Sequence, residues 1–228
     1  MKNAACMIYN LYSLKMSYHF FINYTYLIVE PNTRNAIVVD PAWELDRITQ
    51  QLEKKHANLR AILLTHSHYD HVNLVPALSD LMQPDVFLSQ KEIDASGFRC
   101  KRLNAINDND CLLLGELPFH CLLTPGHTMG SMCFQLDKSL FTGDTLFTEG
   151  CGVCPRPGGS PEAMYLSIQR IKAEIEDDVR IFPGHSFGMS PGKTMGHLRK
   201  NNIYLQLNRE HFIKFRMRKN QRGIFDFQ

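Results

Sequence analysis

The feature that most constrains this chain is the six-residue run HSHYDH at positions 66–71. It holds four side chains able to bind a metal ion, and it follows an apolar stretch, residues 61–64, that predicts a buried strand. Two histidines at i and i+2 point the same way along an extended chain, and a turn after them brings the aspartate and the last histidine to a neighbouring position. Imidazole and carboxylate ligands together suit zinc, iron or manganese. The run therefore predicts a metal site at the end of a strand.

Three more candidate ligands stand in the same local setting. His127 follows the segment LLTPG, Asp144 follows LFTG and His185 follows IFPG. Each is an apolar strand, then a turn-forming residue, then a side chain that binds metals, and strand ends on one sheet edge are where α/β proteins place their sites. The glycines allow close approach of the backbone. A lone histidine is more often a packing or surface residue, but four strand-end cases together indicate one shared site.

The number of candidate ligands indicates how many ions the site holds. Seven protein ligands exceed the needs of one tetrahedral ion and suit two ions, which hydrolytic sites hold about 3.5–4 Å apart. We expect one ion on His66, His68 and His127, a second on Asp70, His71 and His185, and Asp144 between them. The expected cofactor is Zn²⁺, two per chain, with iron or manganese as alternatives. Asp70 is the expected catalytic residue, which orients the attacking water and accepts its proton.

Apolar patterns place strands first and then alternate strands with helices. Strands are predicted over residues 7–15, 24–30, 36–39, 61–64, 86–89, 117–124, 132–136, 140–142 and 179–182. Helices are predicted from Leu45 to near His56, along a face formed by Leu74, Leu78 and Leu81, over residues 164–175 and from 194 to 207. This order indicates a mixed α/β layered domain, and periodicity indicates nothing finer.

Composition bounds the class of protein. For 228 residues one compact domain is the default, and we expect residues 1–208 to form it, with residues 209–228 as a basic tail packed on it or extending from it. A net charge of +2 gives no general argument for a nucleic-acid or membrane partner. Seven scattered cysteines, no recognisable signal peptide and no long apolar run predict a cytoplasmic protein. The oligomeric state is left open.

Four segments match, in order, the metal motifs of the metallo-β-lactamase superfamily: HSHYDH, TPGHT with His127, FTGDTLF with Asp144 and FPGH with His185. The resemblance runs from residue 7 to residue 205. It implies an αββα sandwich with metals at one edge of the paired sheets. Asp40, in VVDP, matches an early aspartate that normally supports the ligands without binding the metal.

Within the superfamily, the stretch GDTLFTEGCG at residues 143–152 resembles glyoxalase II, a thioester hydrolase. Class B β-lactamases with two zincs usually carry a cysteine where Asp144 stands. Redox di-iron members replace part of the HxHxDH run with an acidic ligand, and this chain keeps His68. After GCG, glyoxalase II carries a lysine and an aromatic pair that hold glutathione, whereas Val153, Cys154 and Pro155 follow here. The Arg-x-Asp-Phe run of persulfide dioxygenases is also missing.

The whole-chain pattern, including CGVCPRPGG, KNNIYL and FRMRKNQ, resembles the zinc hydrolases encoded in bacterial polyketide gene clusters. That resemblance implies an acyl group thioesterified to a carrier protein as the substrate, and an acyl carrier protein or a small acyl thioester as the partner. Five basic residues of the tail could steer an acidic carrier protein, or they form a solvated terminal segment; they are Lys214, Arg216, Arg218, Lys219 and Arg222.

Three alternative functions stay open. A glyoxalase II-type enzyme would hydrolyse a small glutathione or coenzyme A thioester. A metal-dependent phosphodiesterase or nuclease would use the same HxHxDH run, although the sequence lacks a large nucleic-acid platform. A non-enzymatic binding protein for acyl carrier protein would keep the fold with a vestigial site, and the complete ligand set argues against that function.

The sequence predicts the positions of three further residues near the motifs less specifically. Cys151 and Cys154 make a C-x-x-C pair without a second pair, so we expect them to line the loop beside the site and shape the acyl pocket rather than to bind zinc. Tyr69, inside the metal motif, is expected to point towards the pocket or to pack beneath it.

Overall fold

The first sheet of the fold contains the early strands of the chain. In the computed structural model, which describes residues 9–154 and 157–219, six strands lie side by side in chain order. They are β1 (Asn10–Tyr18), β2 (Phe21–Val29), β3 (Asn35–Val39), β4 (Asn58–Leu63), β5 (Asp85–Ser89) and β6 (Leu103–Ile106). The first three strands are antiparallel neighbours, and β3 to β6 run parallel.

The second sheet is formed by the later strands. Six strands again lie side by side in chain order: β7 (Cys111–Leu114), β8 (Leu117–Leu123), β9 (Met132–Leu136), β10 (Ser139–Gly143), β11 (Arg180–Pro183) and β12 (Lys193–Thr194). Its neighbours are antiparallel except for β10 and β11, which run parallel. The carboxyl ends of β10 and β11 therefore meet at the same edge of the sheet.

Helices cover the outer face of each sheet. Four follow strands of the first sheet: α1 (Leu45–Lys54), α2 (Tyr69–Val72), α3 (Val75–Met82) and α4 (Gln90–Ser96). Three follow β10 and the strands after it: α5 (Pro161–Glu174), α6 (Met195–Asn201) and α7 (Arg209–Arg216), with a short 3₁₀ turn at Ile203–Leu205 between the last two. Side-chain caps mark the beginnings of α4, α5, α6 and α7, where a side chain accepts a bond from a backbone amide of the first turn. The capping residues are Ser89, Ser160, Thr194 and Asn208.

Alternation along the strands decides which residues fill each layer. In β2, Leu27 and Val29 pack against the helices of the first sheet, whereas Tyr26 and Ile28 face the second sheet. There they meet aromatic side chains such as Phe141, which lies 5.3 Å from Tyr26 between ring centres. A third apolar cluster joins the outer face of the second sheet to α5, α6 and α7. Two sheets between two helical layers form the αββα sandwich implied by the resemblance, in one domain.

The early strands and the amphipathic helices were predicted with small boundary errors. For α3, however, one residue of the predicted buried face is wrong. Leu74 and Leu78 contact the core as expected, whereas Leu81 is 62% exposed. Met82 packs against the core instead, because positions i, i+4 and i+8 lie on one side of a helix. The sequence pattern also did not predict β6, β7 and α4, which are short elements. The predicted start of the first strand, before Tyr9, lies outside the described residues.

The basic segment after residue 208 begins with the helix α7, which packs on the domain. In α7, Phe212 is fully buried, and its ring lies 5.4 Å from that of Tyr165 on α5. Arg216 is also buried, with Nη1 donating to the carbonyl oxygen of Cys151 at 2.8 Å. Arg216 is therefore not available to steer a partner, and Arg222 lies outside the described residues. Among the residues that the structure describes, no helix has the length and apolar character needed to cross a membrane.

Candidate metal centre

The predicted ligands follow four strands whose ends meet where the two sheets touch. The HSHYDH run follows β4, and the other three candidates follow β8, β10 and β11. Backbone hydrogen bonds connect these ends: Met132 N donates to Thr65 O at 2.9 Å, Gly184 N to Gly143 O at 2.9 Å, and Tyr24 N to Gly184 O at 2.8 Å. The structure thus brings all seven predicted side chains to one edge of the sandwich.

The ligand atoms form three overlapping groups, and within each group all atoms lie within 4.8 Å of one another. The groups are His66, His68 and His127; His66, His71 and Asp144; and Asp70, His71 and His185. The first and third groups are the two sets expected from the sequence. Asp144 lies between them, because its Oδ2 is 3.3 Å from His127 Nε2 and its Oδ1 is 3.5 Å from His71 Nε2.

Outer hydrogen bonds orient most of the imidazole rings. Four histidines have an oxygen close to Nδ1: Thr65 Oγ1 at 3.1 Å from His66, Asp40 Oδ2 at 2.9 Å from His71, Val153 O at 2.7 Å from His127 and Ile22 O at 2.7 Å from His185. A carbonyl oxygen only accepts, so Nδ1 of His127 and of His185 carries the proton and Nε2 turns its lone pair inwards. His68 is reversed, with Nδ1 lying 3.1 Å from His66 Nε2 and 2.9 Å from His127 Nε2.

Asp40 lies behind the ligands, as the resemblance implies. Thr65 donates to it twice, from the amide to Oδ1 at 2.8 Å and from the hydroxyl to Oδ2 at 2.6 Å. Its backbone adopts a left-handed conformation with φ of 49°, and its carbonyl accepts a bond from Thr25 Oγ1 at 2.7 Å. Such backbone strain persists only where the surroundings fix it, and it is common at functional sites.

Burial and crowding hold the first group of imidazoles neutral. Burial lowers the pKa of His66 well below its ordinary value, and the neighbouring imidazoles lower it further. Burial, followed by the proximity of His127, lowers the pKa of His68 to about 4. Burial also lowers the pKa of His127, against the opposing effect of Asp144. A neutral imidazole is the form that binds a metal ion, so these three rings are ready to act as ligands.

The second group holds the negative charge. Burial alone would raise the pKa of Asp70 and of Asp144, but neighbouring histidines lower both below the usual range. For His71, burial would lower the pKa, but Asp144, then Asp70 and Asp40, raise it to about 10. These carboxylates therefore favour the protonated form of His71 in the metal-free protein, and a bound cation would compete with that proton.

Two buried atoms support the presence of a cation. Within residues 9–154 and 157–219, His71 Nε2 and Asp144 Oδ1 are among the few buried side-chain atoms without a hydrogen-bond partner, and they are 3.5 Å apart. A buried polar atom left unpaired costs about 1–3 kcal/mol, and a cation between imidazole and carboxylate removes that cost. The donor set of nitrogen and carboxylate oxygen is the one that zinc, iron and manganese accept. The residues therefore fit a metal cofactor.

The glycines of the strand-end motifs are required by close packing. A Cβ added to Gly184 would lie 2.5 Å from His71 Cε1 and 2.7 Å from Asp144 Oδ1. At Gly143, where φ is +48°, an added Cβ would overlap the side chain of Thr65. The motif glycines therefore keep room for the ligands themselves.

Two polar residues of the site were missed by the sequence argument. Asn23 is buried on β2, donates from Nδ2 to Asp70 Oδ2 at 3.1 Å and accepts from Trp43 Nε1 at 2.6 Å. A polar residue amid the apolar sequence of a buried strand was a usable signal for it. Glu92 on α4 is 1% exposed, and its signal was the Ser-x-x-Glu capping pattern that begins at Ser89.

Glu92 connects the two loops that carry the first group of ligands. Its Oε1 accepts from the amide of Ser67 at 3.0 Å and from the hydroxyl of Ser67 at 2.6 Å. Its Oε2 accepts from Thr128 Oγ1 at 2.7 Å and from Gly130 N at 3.0 Å. Ser67 stands between His66 and His68, and Thr128 follows His127. One buried carboxylate therefore fixes the spacing between these histidines.

Near the site, the expectation for the two cysteines is wrong, and one of the two alternatives for Tyr69 is excluded. Cys151 and Cys154 are 4% and 2% exposed, and both belong to the apolar cluster beneath α5 to α7. They help to anchor the loop after Asp144, but they do not line an open pocket. Tyr69 does not pack beneath the site, since its side chain is 73% exposed and lies edge-on to Trp43 at 5.9 Å between ring centres.

The fold and the site together define a class of protein, and the chain belongs to the metallo-β-lactamase superfamily. The family model matches residues 20–99 and 109–185, which is more than half of the chain. Among solved structures, ETHE1 from Myxococcus xanthus superposes with a TM-score of 0.83 at 29% identity, covering 93% of this chain and 92% of that one.

Full-length relatives indicate the kind of enzyme. The chain is 51% identical over 223 residues to the "Probable polyketide biosynthesis zinc-dependent hydrolase PksB" of Bacillus subtilis, covering 97% of this chain and 99% of the relative. It is 50% identical to the similarly named BaeB of Bacillus velezensis, covering 96% and 98%. The hydroxyacylglutathione hydrolase of Photorhabdus laumondii is 36% identical over 168 residues, covering 74% of this chain and 64% of the relative. The protein is a metal-dependent hydrolase.

Proposed function

We propose that this protein is a two-zinc hydrolase of acyl thioesters, acting on acyl groups that a carrier protein holds during polyketide biosynthesis. The observation that carries the proposal is the pair of ligand groups sharing Asp144, in a chain that matches polyketide-biosynthesis hydrolases along its whole length. A cytoplasmic location is part of the proposal, and it is supported by six free thiols among the described residues.

The metal ligands of this proposal are the seven side chains expected from the sequence. His66, His68 and His127 would hold one zinc ion, and Asp70, His71 and His185 would hold the other. Asp144, which lies between the two groups, would be available to both. Iron or manganese would fit the same donors. Bound ions of this kind supply Lewis acidity and lower the pKa of water to about 7.

Asp70 acts as the residue that orients the attacking water. Its Oδ2 accepts a bond from Asn23 Nδ2 at 3.1 Å, which leaves Oδ1 for the water. Because the neighbouring histidines hold the pKa of this buried carboxyl well below its usual range, Asp70 is ionised at neutral pH and accepts a hydrogen bond. The side chain is 22% exposed, so a proton that it takes up can pass to solvent.

A thioester suits this site because no second acid is needed. The leaving thiol has a pKa near that of cysteine, about 8.5, so it departs as a thiolate at little cost. Among the described residues around the ligands, all the histidines are engaged with one another or with outer oxygens. None of them is arranged as a separate proton donor, which favours a substrate with a good leaving group.

The reaction is tested by intact mass spectrometry of acyl-loaded carrier proteins. Metal-loaded enzyme should remove the acyl mass and leave the free phosphopantetheine thiol, and the Asp70→Asn variant should remove it far more slowly. Asp178→Asn, at an exposed position, is the matched control. An unchanged acyl mass on every carrier protein tried would reject the carrier-protein substrate.

A second candidate substrate is a small glutathione or coenzyme A thioester. The relative named hydroxyacylglutathione hydrolase supports it, although that similarity covers 74% of this chain and 64% of the relative. S-lactoylglutathione and acetyl coenzyme A, assayed beside the carrier proteins, separate the two substrates. Bis-p-nitrophenyl phosphate in the same series tests the phosphodiesterase alternative. Activity on none of these esters would favour a binding role.

A further inference from the structure

Five aromatic side chains form a continuous surface beside the metal centre, which we call the aromatic rim. Tyr18 stacks on Trp43 with 5.0 Å between ring centres, Phe21 lies 5.8 Å from Trp43, and Tyr69 lies 5.9 Å from it on a third side. Phe20 continues the surface at 4.6 Å from Phe21. Tyr18, Phe20 and Phe21 come from the β1–β2 hairpin, whereas Trp43 follows β3 and Tyr69 begins α2.

The aromatic rim is unusually exposed for so apolar a surface. Tyr18 is 53%, Phe20 68% and Tyr69 73% exposed. None of the five side chains carries a charge at neutral pH. Exposed single apolar residues are ordinary, but a contiguous cluster marks a surface that binds an apolar group.

Hydrogen bonds through Asn23, and the chain itself at Tyr69, connect the aromatic rim to the candidate metal ligands. Trp43 Nε1 donates to Asn23 Oδ1 at 2.6 Å, and Asn23 Nδ2 donates to Asp70 Oδ2 at 3.1 Å. Tyr69 stands between His68 and Asp70, which are the two candidate ligands that are partly exposed while the other five are buried. The open side of the metal centre therefore faces the rim.

We propose that the aromatic rim binds the apolar acyl chain of the thioester, so that the enzyme favours long acyl groups over short ones. This inference rests on the proposed thioesterase function. An acyl carbonyl placed at the open side of the centre, beside Asp70, has its chain within reach of Tyr69 and Trp43. A surface of flat, uncharged rings suits an extended hydrocarbon chain, which gains contact area along its length.

A second surface provides an internal comparison. A groove of about 580 Å³ lies at the other end of the centre and is lined by Lys91, Asp94, Met129 and the Pro125-Gly126 pair that precedes His127. Apart from Lys91, Asp94 and Ser160, the residues that line the groove are uncharged and mostly apolar, so the groove is the alternative site for a hydrocarbon chain. Substitution of Met129 tests the groove.

Thioesters of N-acetylcysteamine with acetyl, butyryl, hexanoyl and octanoyl groups vary the chain while the thiol arm stays constant. For the metal-loaded wild type, kcat/KM should rise about twofold per methylene group, since full burial of a methylene is worth about fourfold and the rim covers one side. The double variant Phe20→Ala/Tyr69→Ala should lose about tenfold on the octanoyl ester and about threefold or less on the acetyl ester. Leu113→Ala, which truncates a similarly exposed residue on edge strand β7, should keep the wild-type chain-length slope.

Binding can also be measured without hydrolysis. Trp43 is the single tryptophan of the chain, so its fluorescence reports on the rim. Chelator-treated protein is titrated with an uncleavable ketone analogue, in which a methylene group separates the sulfur from the octanoyl carbonyl. The emission of Trp43 should shift, and the double variant should need about tenfold more analogue for the same change.

Three results would overturn the inference. One is a kcat/KM that does not depend on acyl chain length in the wild type, or that falls by the same factor on acetyl and octanoyl esters in the double variant. Another is loss of the chain-length preference in Met129→Ala with its retention in the rim variant, which would place the acyl chain in the groove. The third is a dimer that dissociates on Phe20→Ala, which would assign the rim to self-association. If no thioester is hydrolysed, the proposed function fails, and the fluorescence titration still decides whether the rim binds the acyl chain.

Discussion

Oδ2 of Asp40 lies 2.9 Å from Nδ1 of His71, and the same carboxylate accepts both the amide and the hydroxyl of Thr65. Thr65 immediately precedes the HSHYDH run. Asp40 therefore fixes the beginning of the run and its last histidine relative to each other. It holds the proton of His71 at Nδ1 and leaves Nε2 directed at Asp70 and Asp144.

Replacement of Asp40 by Asn should weaken metal binding. An amide cannot accept from both Thr65 and His71 as the carboxylate does, so His71 loses its preferred tautomer. We expect zinc affinity to fall about 10–100-fold, as for other residues that support metal ligands. Competition with a fluorescent chelator measures it, and Asp46→Asn on the exposed side of α1 is the control. Equal affinity in both variants would contradict the role of Asp40.

Replacement of Asp70 by Asn should lower metal occupancy and turnover together. The amide keeps the size of the side chain but removes the negative charge beside His71 and His185. We expect at least about a tenfold loss of turnover at saturating zinc, since a positioned acid or base contributes about 10²–10⁴-fold. Elemental analysis and steady-state kinetics on the same preparation check both effects. Full activity in this variant would remove Asp70 from the mechanism.

Replacement of Glu92 by Gln should destabilise the protein even without metal. Both carboxylate oxygens accept from two donors each, and the amide would present its own N–H groups to one of these pairs. We expect the free energy of unfolding to fall by about 2–4 kcal/mol in chelator-treated protein. Urea denaturation measures it. Glu174→Gln breaks only an exposed ion pair with Arg170 and should cost less than about 1 kcal/mol.

Replacement of Gly184 by Ala (Gly184→Ala) should disturb the second group of candidate ligands. Its Cβ would lie 2.5 Å from His71 Cε1, so either the imidazole or the backbone must move. We expect about one zinc ion per chain to be lost, with turnover lowered at least tenfold, because small misplacements of reacting groups are costly. Gly150→Ala is the matched control, since its Cβ would meet Tyr204 at an ordinary 3.6 Å. Normal zinc content in the position-184 variant would contradict this expectation.

The stability of chelator-treated protein should have a maximum near pH 6.5. His68 has a pKa lowered from 6.5 to about 4 by burial and then by His127, so the unfolded chain binds the extra proton first and stability falls as pH drops from 6.5 towards 4. Burial would also lower the pKa of His71, but Asp144, Asp70 and Asp40 raise it from 6.5 to about 10. Its contribution is therefore complete below pH 6.5 and is lost as pH rises towards 10.

Urea denaturation of chelator-treated protein across that range measures the stability maximum. His71→Gln should abolish the decline on the alkaline side, because the imidazole that carries the extra proton is then absent. An alkaline decline of the same size in this variant would show that another group causes it.

Local signals explain why the candidate ligands could be predicted. The HSHYDH run after an apolar strand gives four of the seven positions, and each of the other three follows an apolar strand and a turn-forming residue. The residues that support them could not be predicted in the same way. Asn23 lies 47 positions before Asp70, and Glu92 lies 25 positions after Ser67, so only the tertiary structure brings these pairs together.

The layered fold was predictable in class but not in its details. Alternating apolar residues identified the central strands, where both faces are buried. The strands β6 and β7 have four residues each, too short for periodicity to stand out. For α7, the basic composition left open whether the segment packs on the domain or extends from it, and only the structure shows that Phe212 and Arg216 are buried.

The candidate ligands are divided between the two halves of the sandwich, since four follow a strand of the first sheet and three follow strands of the second. The two groups expected to hold the ions each combine two residues that follow β4 with one residue from the second half. Ions bound there would therefore cross-link the two sheets, and each group is complete only when the halves are packed together.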